Sequence, residues 1–203
     1  MRRRGRAAGR SGNGSGADGE VRHGAVVLSS EPERLRALVR DVPDFPTPGI
    51  VFKDITPLLA DEAAFATVVD GIVDRFVGCG VRRVLGIEAR GFIVAAPVAY
   101  RLGAGFIPAR KKGKLPSDVH GIDYELEYGA ERLEVHTDAV RAGDRVLLVD
   151  DVLATGGTAA AAVDVVRALG GDVAGVAFII ELGFLNGRAK LDGLDVFSIL
   201  TYE

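Results

Sequence analysis

Residues 146–158 read VLLVDDVLATGGT: an apolar run, two adjacent acids, and a turn of threonine and glycine. The apolar run predicts a buried strand over residues 145–149, and the Ala-rich stretch beyond the turn predicts a helix over residues 157–169. Between them, Gly156 and Gly157 allow backbone N–H groups to approach an anion closely, and the helix N-terminus adds partial positive charge. The stretch therefore predicts a phosphate site at the end of a strand.

The adjacent acids Asp150 and Asp151 predict a second ligand group beside the phosphate. Two carboxylates repel a phosphate, but they accept hydrogen bonds, so the vicinal hydroxyls of a ribose suit them. The hydroxyls of Thr155 and Thr158 add donors on the phosphate side. A phosphorylated ribose is the predicted ligand, and the alternative is an ordinary strand–turn–helix capped by threonine. A nucleotide-binding P-loop is excluded because the stretch has no lysine.

Apolar strands alternate with helices on both sides of this stretch. The alternation predicts an α/β fold with a central, mostly parallel sheet flanked by helices, and such sheets bind ligands at the carboxyl ends of their strands. The predicted strands are residues 83–87, 105–109, 145–149, 173–180 and 196–200, and the predicted helices are residues 31–40, 61–78, 91–102 and 157–169, with a helical turn at 186–191. The prolines within residues 42–49 forbid both a helix and a central strand there.

Charge and composition divide the chain into a tail and one domain. Residues 1–24 are basic, rich in Gly and Ser and without apolar periodicity, which predicts a disordered tail. The first 22 residues carry a net charge of +4, which leaves −7 for the rest of the 203-residue chain. Residues 25–203 are expected to form a single domain. Its acidic balance argues against nucleic-acid binding, and the absence of a long apolar run argues against a membrane span. The single Cys79 cannot form an internal disulfide, so we expect a cytoplasmic location.

Residues 147–159 resemble the phosphoribosyl-pyrophosphate signature of type I phosphoribosyltransferases, and the resemblance covers about residues 40–203. It implies the fold of that family, with a small hood at about residues 40–60 and a mobile hairpin lid at about residues 112–137. It also implies that Asp150 and Asp151 contact the ribose hydroxyls. The loop after them would hold the 5′-phosphate, through Ala154, Thr155, Gly156, Gly157 and Thr158.

Because the family shares the loop signature, the identity of the base has to be predicted from residues that differ between its members. In 6-oxopurine enzymes of the family a third acid usually stands before the Thr-Gly pair, and Ala154 stands there in this chain. Orotate enzymes usually have Glu-Asp in place of Asp150-Asp151. Residues 44–57 resemble the hood of the adenine-specific members, which implies that Phe52 stacks on adenine while backbone groups of Val51 and Lys53 read its edge.

Two features qualify the hood interpretation. The adenine-specific members commonly have Arg at the position of Lys53, a change that is harmless if only the backbone contacts the base. For Phe52, the alternative is plain core packing.

Two cationic segments resemble pyrophosphate-binding segments of the family. Arg90 follows the strand at residues 83–87 and could fork onto a pyrophosphate, with a surface salt bridge as the alternative. The resemblance also implies a cis peptide bond between Glu88 and Ala89. Residues 110–116 contain four cations, of which Lys111 is expected to bind the ligand; the alternative is a solvated charged face.

The long segment before residue 145 predicts the lid. Residues 124–128 and 132–136 alternate, with Gly129 between them, which indicates a hairpin that could close over the site and exclude water. The resemblance places Glu127 and Tyr128 over the reacting base and sugar. Glu127 would accept a proton from adenine, or would only orient the base.

Together these features predict an adenine enzyme of purine salvage. The resemblance implies that adenine and 5-phosphoribosyl-1-pyrophosphate give AMP and pyrophosphate, with Glu127, Arg90 and Lys111 as catalytic residues. Mg²⁺ is the expected cofactor, held mainly by substrate oxygens rather than by direct protein ligands. The family also implies a homodimer. The alternatives are action on another base, or a regulator that binds the same ligand without catalysis.

Overall fold

The computed structural model describes residues 31–126 and 129–203. The tail at residues 1–24 lies outside the described residues, so its disorder stays a prediction. Within the described ranges, no helix is long and apolar enough to cross a membrane.

The described residues contain nine strands and five α-helices. The strands are β1 (Arg40–Pro43), β2 (Val51–Asp54), β3 (Arg83–Ile87), β4 (Gly105–Lys111), β5 (Val119–Leu126), β6 (Gly129–His136), β7 (Arg145–Leu153), β8 (Asp172–Leu182) and β9 (Val196–Tyr202). The helices are α1 (Glu31–Ala37), α2 (Thr56–Ala60), α3 (Glu62–Phe76), α4 (Gly91–Leu102) and α5 (Gly157–Ala168), and two short 3₁₀ helices span Gly183–Leu185 and Gly187–Leu191.

Seven of the strands form the central sheet, in the spatial order β5-β6-β4-β3-β7-β8-β9. The neighbouring strands β4, β3, β7, β8 and β9 pair in parallel. Strand β6 pairs antiparallel with both β4 and β5. The predicted α/β fold with a mostly parallel sheet is therefore confirmed.

Alternate residues of β7 face opposite sides of this sheet. Leu147 and Val149 pack with α3 and α4 on one face, whereas Val146 and Leu148 pack with α5 on the other. All four are fully buried, as a strand covered on both faces requires. The apolar run of β7 therefore places the end of this strand in the middle of the molecule.

The ends of several elements differ from the predicted ones. Strand β7 continues to Leu153 because it keeps pairing with β8, so Asp150 and Asp151 lie within its last residues rather than after it. The first helix ends at Ala37 rather than at residue 40, because Arg40 pairs with Asp54 in the hood.

The hood is an antiparallel pair of short strands, β1 and β2, apart from the central sheet. Val42 lies opposite Phe52, and the ring of Phe52 meets that of Phe45 edge-on at 5.2 Å. The prediction that the proline-rich residues 42–49 form no central strand and no helix holds. This small sheet brings Phe52 to the carboxyl end of the central sheet.

The predicted hairpin is present, with longer arms than expected. Strands β5 and β6 pair along their whole lengths, and Gly129 begins β6 rather than lying between the arms. The residues before 124 were not predicted as strand because Gly121 and several polar residues interrupt the apolar pattern. They pair because Ile122 and Tyr124 pack against the α5 side of the core. Whether the hairpin closes as a lid stays a prediction.

Candidate active site

The acid pair lies where β7 meets the start of α4. Asp151 is 6% exposed, and its backbone N–H donates to Oδ1 of Asp150 at 2.9 Å. A side chain on Gly91 would lie 2.7 Å from the same Oδ1, so the helix start packs directly on the carboxylate. Burial, and then the neighbouring Asp151, raise the pKa of Asp150 well above its ordinary value. The free protein thus holds two close carboxylates, and a negative charge on Asp150 is unfavourable there.

Arg90 links the acid pair to the hood. Its Nε lies 2.5 Å from Oδ2 of Asp151, but the two are not aligned for a hydrogen bond, and this oxygen is buried without a hydrogen-bond partner in the described part of the chain. The guanidinium also lies 4.8 Å from the centre of the Phe52 ring. The peptide bond between Glu88 and Ala89, just before Arg90, is cis, as the resemblance implies.

The predicted phosphate loop connects β7 to α5, and Gly156 sits at its tightest point. Gly156 has a φ of +77°, and a Cβ there would lie 2.3 Å from the carbonyl oxygen of Gly187. A Cβ on Gly187 would in turn lie 2.1 Å from the carbonyl oxygen of Ala154. Backbone therefore packs on backbone, which only glycine permits. The loop residues that the sequence predicted lie together here: Ala154, Thr155, Gly156, Gly157 and Thr158.

A cavity of about 480 Å³ joins the hood to the acid pair. Of the predicted site residues, it is lined by Val51, Phe52, Lys53, Arg90, Asp151, Ala154 and Thr155. Sequence analysis missed four apolar lining residues, namely Ile50, Val152, Leu182 and Leu185. Val152 could have been found from the alternation of β7, but Leu182 ends β8, Leu185 follows that strand, and neither carries a local signal.

The side chain of Lys53 is engaged away from this cavity. Its ammonium lies 2.6 Å from Oδ1 of Asp41 and 4.4 Å from the centre of the Tyr202 ring, and neither of these residues lines the cavity. The backbone of Lys53 therefore remains the group that could contact the edge of a base. The presence of Lys rather than Arg at this position is compatible with that role.

Glu88 organises the basic segment at the end of β4. It accepts hydrogen bonds from Nε of Arg110 at 3.2 Å, from the backbone N–H of Lys111 at 3.1 Å and from the ammonium of Lys114. Burial alone would raise the pKa of Glu88, but these hydrogen bonds lower it. The segment is therefore held by a carboxylate, rather than forming a simple solvated face.

Lys111 makes its own contact with the hairpin. Its ammonium lies 2.6 Å from Oε1 of Glu131, and the hydroxyl of Tyr124 donates to Oε2 of the same carboxylate at 2.9 Å. The hydrogen bond from Lys111 is the main cause that lowers the pKa of Glu131. Burial is the main cause that raises the pKa of Tyr124, whose hydroxyl also neighbours Thr158. The hairpin thus reaches both the cationic segment and the phosphate loop.

Two predicted site residues, Glu127 and Tyr128, lie outside the described residues. Their roles stay predictions. Leu126 and Gly129, which flank them in the sequence, pair with each other in the hairpin.

Known proteins are similar to this chain in sequence. A model of the phosphoribosyl transferase domain matches residues 65–195. The adenine phosphoribosyltransferase of Acidothermus cellulolyticus is 59% identical over 168 residues, which cover 83% of this chain and 95% of that protein. That of Acidobacterium capsulatum is 55% identical over 171 residues, covering 84% and 94%.

Solved structures agree with the sequence relatives. The adenine phosphoribosyltransferase of Thermoanaerobacter pseudethanolicus superposes with a TM-score of 0.81 at 49% identity, over 84% of this chain and 99% of that one. The Saccharomyces cerevisiae enzyme, solved with adenine and an imino-altritol bisphosphate, gives a TM-score of 0.80 at 36% identity, over 85% and 100%. With Asp151, Thr155 and the hood lining one cavity, and with these relatives matched over most of their length, the chain belongs to the adenine phosphoribosyltransferases.

Proposed function

We propose that this chain transfers the phosphoribosyl group of 5-phosphoribosyl-1-pyrophosphate to adenine, giving AMP and pyrophosphate in purine salvage. The observation that carries the proposal is the single cavity that holds an aromatic hood residue, Phe52, at one wall and Asp151 at another, with Arg90 touching both. A base bound at the hood and a ribose phosphate bound at the acid pair would be placed to join as a nucleotide.

The acid pair would bind the ribose. Asp150 and Asp151 accept hydrogen bonds from its vicinal hydroxyls, and their negative charge favours the positive charge that develops on the ribose ring. Oδ2 of Asp151 is buried and ion-paired with Arg90 but accepts no hydrogen bond from the described residues, so it remains available to accept one from a ribose hydroxyl. The loop after the pair holds the 5′-phosphate at the N-terminus of α5.

The donor set also fits Mg²⁺. Two carboxylates beside a ribose diol and a pyrophosphate offer the oxygen ligands that this ion prefers, mostly from the substrate. Bound there, the ion would neutralise charge on the leaving pyrophosphate. Among the described residues no group of three His, Cys, Asp or Glu side chains is placed to hold a metal.

Arg90 and Lys111 would stabilise the leaving pyrophosphate. Each is paired with a carboxylate, Arg90 with Asp151 and Lys111 with Glu131. Arg90 lines the cavity, and Glu131 accepts a hydrogen bond from Tyr124, whose hydroxyl neighbours Thr158 of the phosphate loop. From these positions the two cations could exchange their carboxylates for pyrophosphate oxygens. Charge-assisted contacts of this kind strengthen as the bond to the ribose breaks.

Adenine would attack from the hood side of the cavity. Phe52 stacks on the base, and backbone groups of Val51 and Lys53 read its edge. As N9 of adenine bonds to C1′, the bond from C1′ to the pyrophosphate oxygen breaks and the N9 proton passes to Glu127. Tyr128 would cover the sugar, and closure of the hairpin would keep water from the reacting carbon.

The family also supports a homodimer in the cytoplasm. Large apolar side chains are exposed on α4 and β4, namely Ile93, Tyr100 and Phe106, which is the kind of surface that a second copy could cover. The lone Cys79 needs no oxidising compartment.

Phe52→Ala is expected to raise the KM for adenine about 10- to 100-fold, because burial and stacking of an aromatic ring contribute about 1.5–3 kcal/mol. The KM for phosphoribosyl pyrophosphate should change little. Steady-state kinetics with each substrate varied in turn measure both. Phe184→Ala removes an exposed aromatic side chain outside the cavity and is the control. An unchanged adenine KM in the Phe52 variant would mean that the ring serves core packing alone.

Lys111→Ala is expected to lower kcat/KM for phosphoribosyl pyrophosphate by about tenfold or more, since a hydrogen bond to a charged group is worth about 1.5–3 kcal/mol. Lys112→Ala is the comparison, because this neighbouring exposed lysine has no ion pair among the residues that the structure describes. We expect it to lose far less activity. Equal losses in the two variants would support general attraction by the segment rather than a specific contact from Lys111.

The test of the proposed function is AMP formation from phosphoribosyl pyrophosphate and Mg²⁺ with adenine, hypoxanthine, guanine or orotate. Turnover with adenine alone supports the proposal. Turnover with another base would contradict the assignment of Ala154 and the hood, and tight ligand binding without turnover would favour a regulator.

A further inference from the structure

A buried carboxylate outside the reacting groups lies at the end of β8. Glu181 is 7% exposed, and among the described residues two side chains donate hydrogen bonds to its carboxylate. Arg188 donates from Nε to Oε1 at 2.9 Å and from Nη2 to Oε2 at 2.5 Å, and the hydroxyl of Ser198 donates to Oε2 at 2.7 Å. The hydrogen bonds from Arg188 lower the pKa of Glu181, so the pair is ionised near neutral pH. The proposed reaction uses none of these residues.

Arg188 also connects this carboxylate to the last strand. Its Nη1 donates to the carbonyl oxygen of Val196 at 2.8 Å, where β9 begins. One guanidinium therefore satisfies acceptors on both β8 and β9, a geometry that its rigid fork permits and a lysine ammonium does not. The backbone at Arg188 is thereby held against the edge of the sheet.

The residue before Arg188 is the one that packs on the phosphate loop. Gly187 lies so close to Ala154 and Gly156 that a side chain at either glycine would overlap the opposing backbone. On the other side of this segment, Leu182 and Leu185 line the cavity that would hold the base. Residues 182–188 thus touch the phosphate loop at one point and the base cavity at another.

We propose that Arg188 is a positioning residue: bound to Glu181, it holds Gly187 against the loop and so keeps Gly156 in the backbone conformation that binds the 5′-phosphate. A glycine at φ +77° has other conformations open to it, and the Gly187 backbone blocks movement in one direction. Aligned N–H donors bind a phosphate better when their order exists before the ligand arrives. The inference rests on the proposed function, because the loop is taken to bind a ribose phosphate.

The test measures binding of ribose 5-phosphate by titration calorimetry, which needs neither adenine nor turnover. Arg188→Met removes the charge and the fork, and Arg188→Lys keeps the charge without the fork. We expect the Kd to rise about tenfold or more in the first variant and about threefold in the second, because an ångström-scale displacement of a binding group can cost up to about 100-fold. Arg75→Met is the matched control, since Arg75 also pairs with a carboxylate, Asp195, far along the chain from the loop.

Several results would overturn the inference. A folded Arg188→Met protein that binds ribose 5-phosphate like the wild type would reduce Arg188 to a structural role, as would a Kd that rises equally in Arg75→Met. If Arg188→Lys binds ribose 5-phosphate like the wild type, the charge at this position and not the forked contact is what supports binding. If Arg188→Met does not fold, the Kd of Arg188→Lys alone tests the inference. Failure of the proposed function looks different: the wild type itself would bind no ribose 5-phosphate, or would bind it and not turn over adenine.

Discussion

Asp150→Asn is expected to make the protein more stable and much less active. The substitution keeps the shape of the side chain and an oxygen that can accept the hydrogen bond from the Asp151 backbone. It removes the charge that burial and Asp151 both disfavour. If the relief is about 1 kcal/mol, the melting temperature rises by about 2–4 °C for a chain of this size.

Activity should fall because the ribose loses a charged acceptor. Hydrogen bonds to charged groups contribute about 1.5–3 kcal/mol each, so kcat/KM for phosphoribosyl pyrophosphate should drop by at least about tenfold. The drop should exceed this if the charge also stabilises the transition state, because that term acts only as the ribose becomes positive. The same residue therefore opposes folding and supports the reaction.

The pH dependence of stability tests the cause of the gain. The pKa of Asp150 is raised in the folded protein above its ordinary value of 3.8. Protonation therefore favours the folded state, and wild-type stability falls as pH rises through the folded pKa. Below about pH 3.8 the wild type and Asp150→Asn should have similar melting temperatures, and the variant should become the more stable of the two as the carboxyl ionises.

Thermal denaturation of both proteins across this pH range measures the effect, with Asp192→Asn at an exposed position as the control for a simple change of net charge. A less stable Asp150→Asn protein at neutral pH would show that the free site compensates the acid pair better than its geometry indicates.

Gly156→Ala is the second change with a large expected effect. The new Cβ would lie 2.3 Å from the carbonyl oxygen of Gly187, a backbone atom that cannot rotate away. Either the phosphate loop or the 3₁₀ helix at Gly187–Leu191 must move. We expect the Kd for phosphoribosyl pyrophosphate to rise about 100-fold, as displacements of about 1 Å at such sites can do.

Gly193→Ala is a closely matched control for backbone strain. Gly193 has a φ of +75°, against +77° at Gly156, but nothing lies within 4 Å of its Cβ position. Both variants pay about 1–2 kcal/mol for a left-handed non-glycine residue, and only Gly156→Ala adds the overlap. Urea denaturation and calorimetric titration with phosphoribosyl pyrophosphate separate the two costs. Equal binding by both variants would mean that the loop tolerates displacement.

The parts of the site that could be predicted are those whose signal is local in the sequence. Strand, acid pair and phosphate loop are continuous from residue 146 to residue 158, so periodicity and turn chemistry suffice to read them. Phe52 and Arg90 were found through short segments that resemble a family. In each case the neighbouring residues in the chain carry the information.

The parts that were missed depend on contacts between distant segments. Gly187 matters because β8 returns the chain to the phosphate loop, yet Asn186-Gly187 by itself indicates only a turn. Glu88 and Glu131 look like ordinary surface acids until β3, β4 and the hairpin are placed side by side. Strand bounds were also missed, because pairing with a neighbour, and not the strand's own residues, decides where β7 ends and where β5 begins.

The carboxylates that neutralise the cations of the site have a consequence for competition in the cell. Asp151, Glu131 and Glu88 compete with any incoming anion, since each is already ion-paired with a cation that a polyphosphate would bind. A phosphate compound would have to displace one of these carboxylates at every contact, so each contact would add little binding free energy. Under the proposed function, a ligand that also offers hydroxyls to the acid pair would recover what it displaces, so the unliganded protein would discriminate against phosphate compounds that lack those hydroxyls before any base has entered.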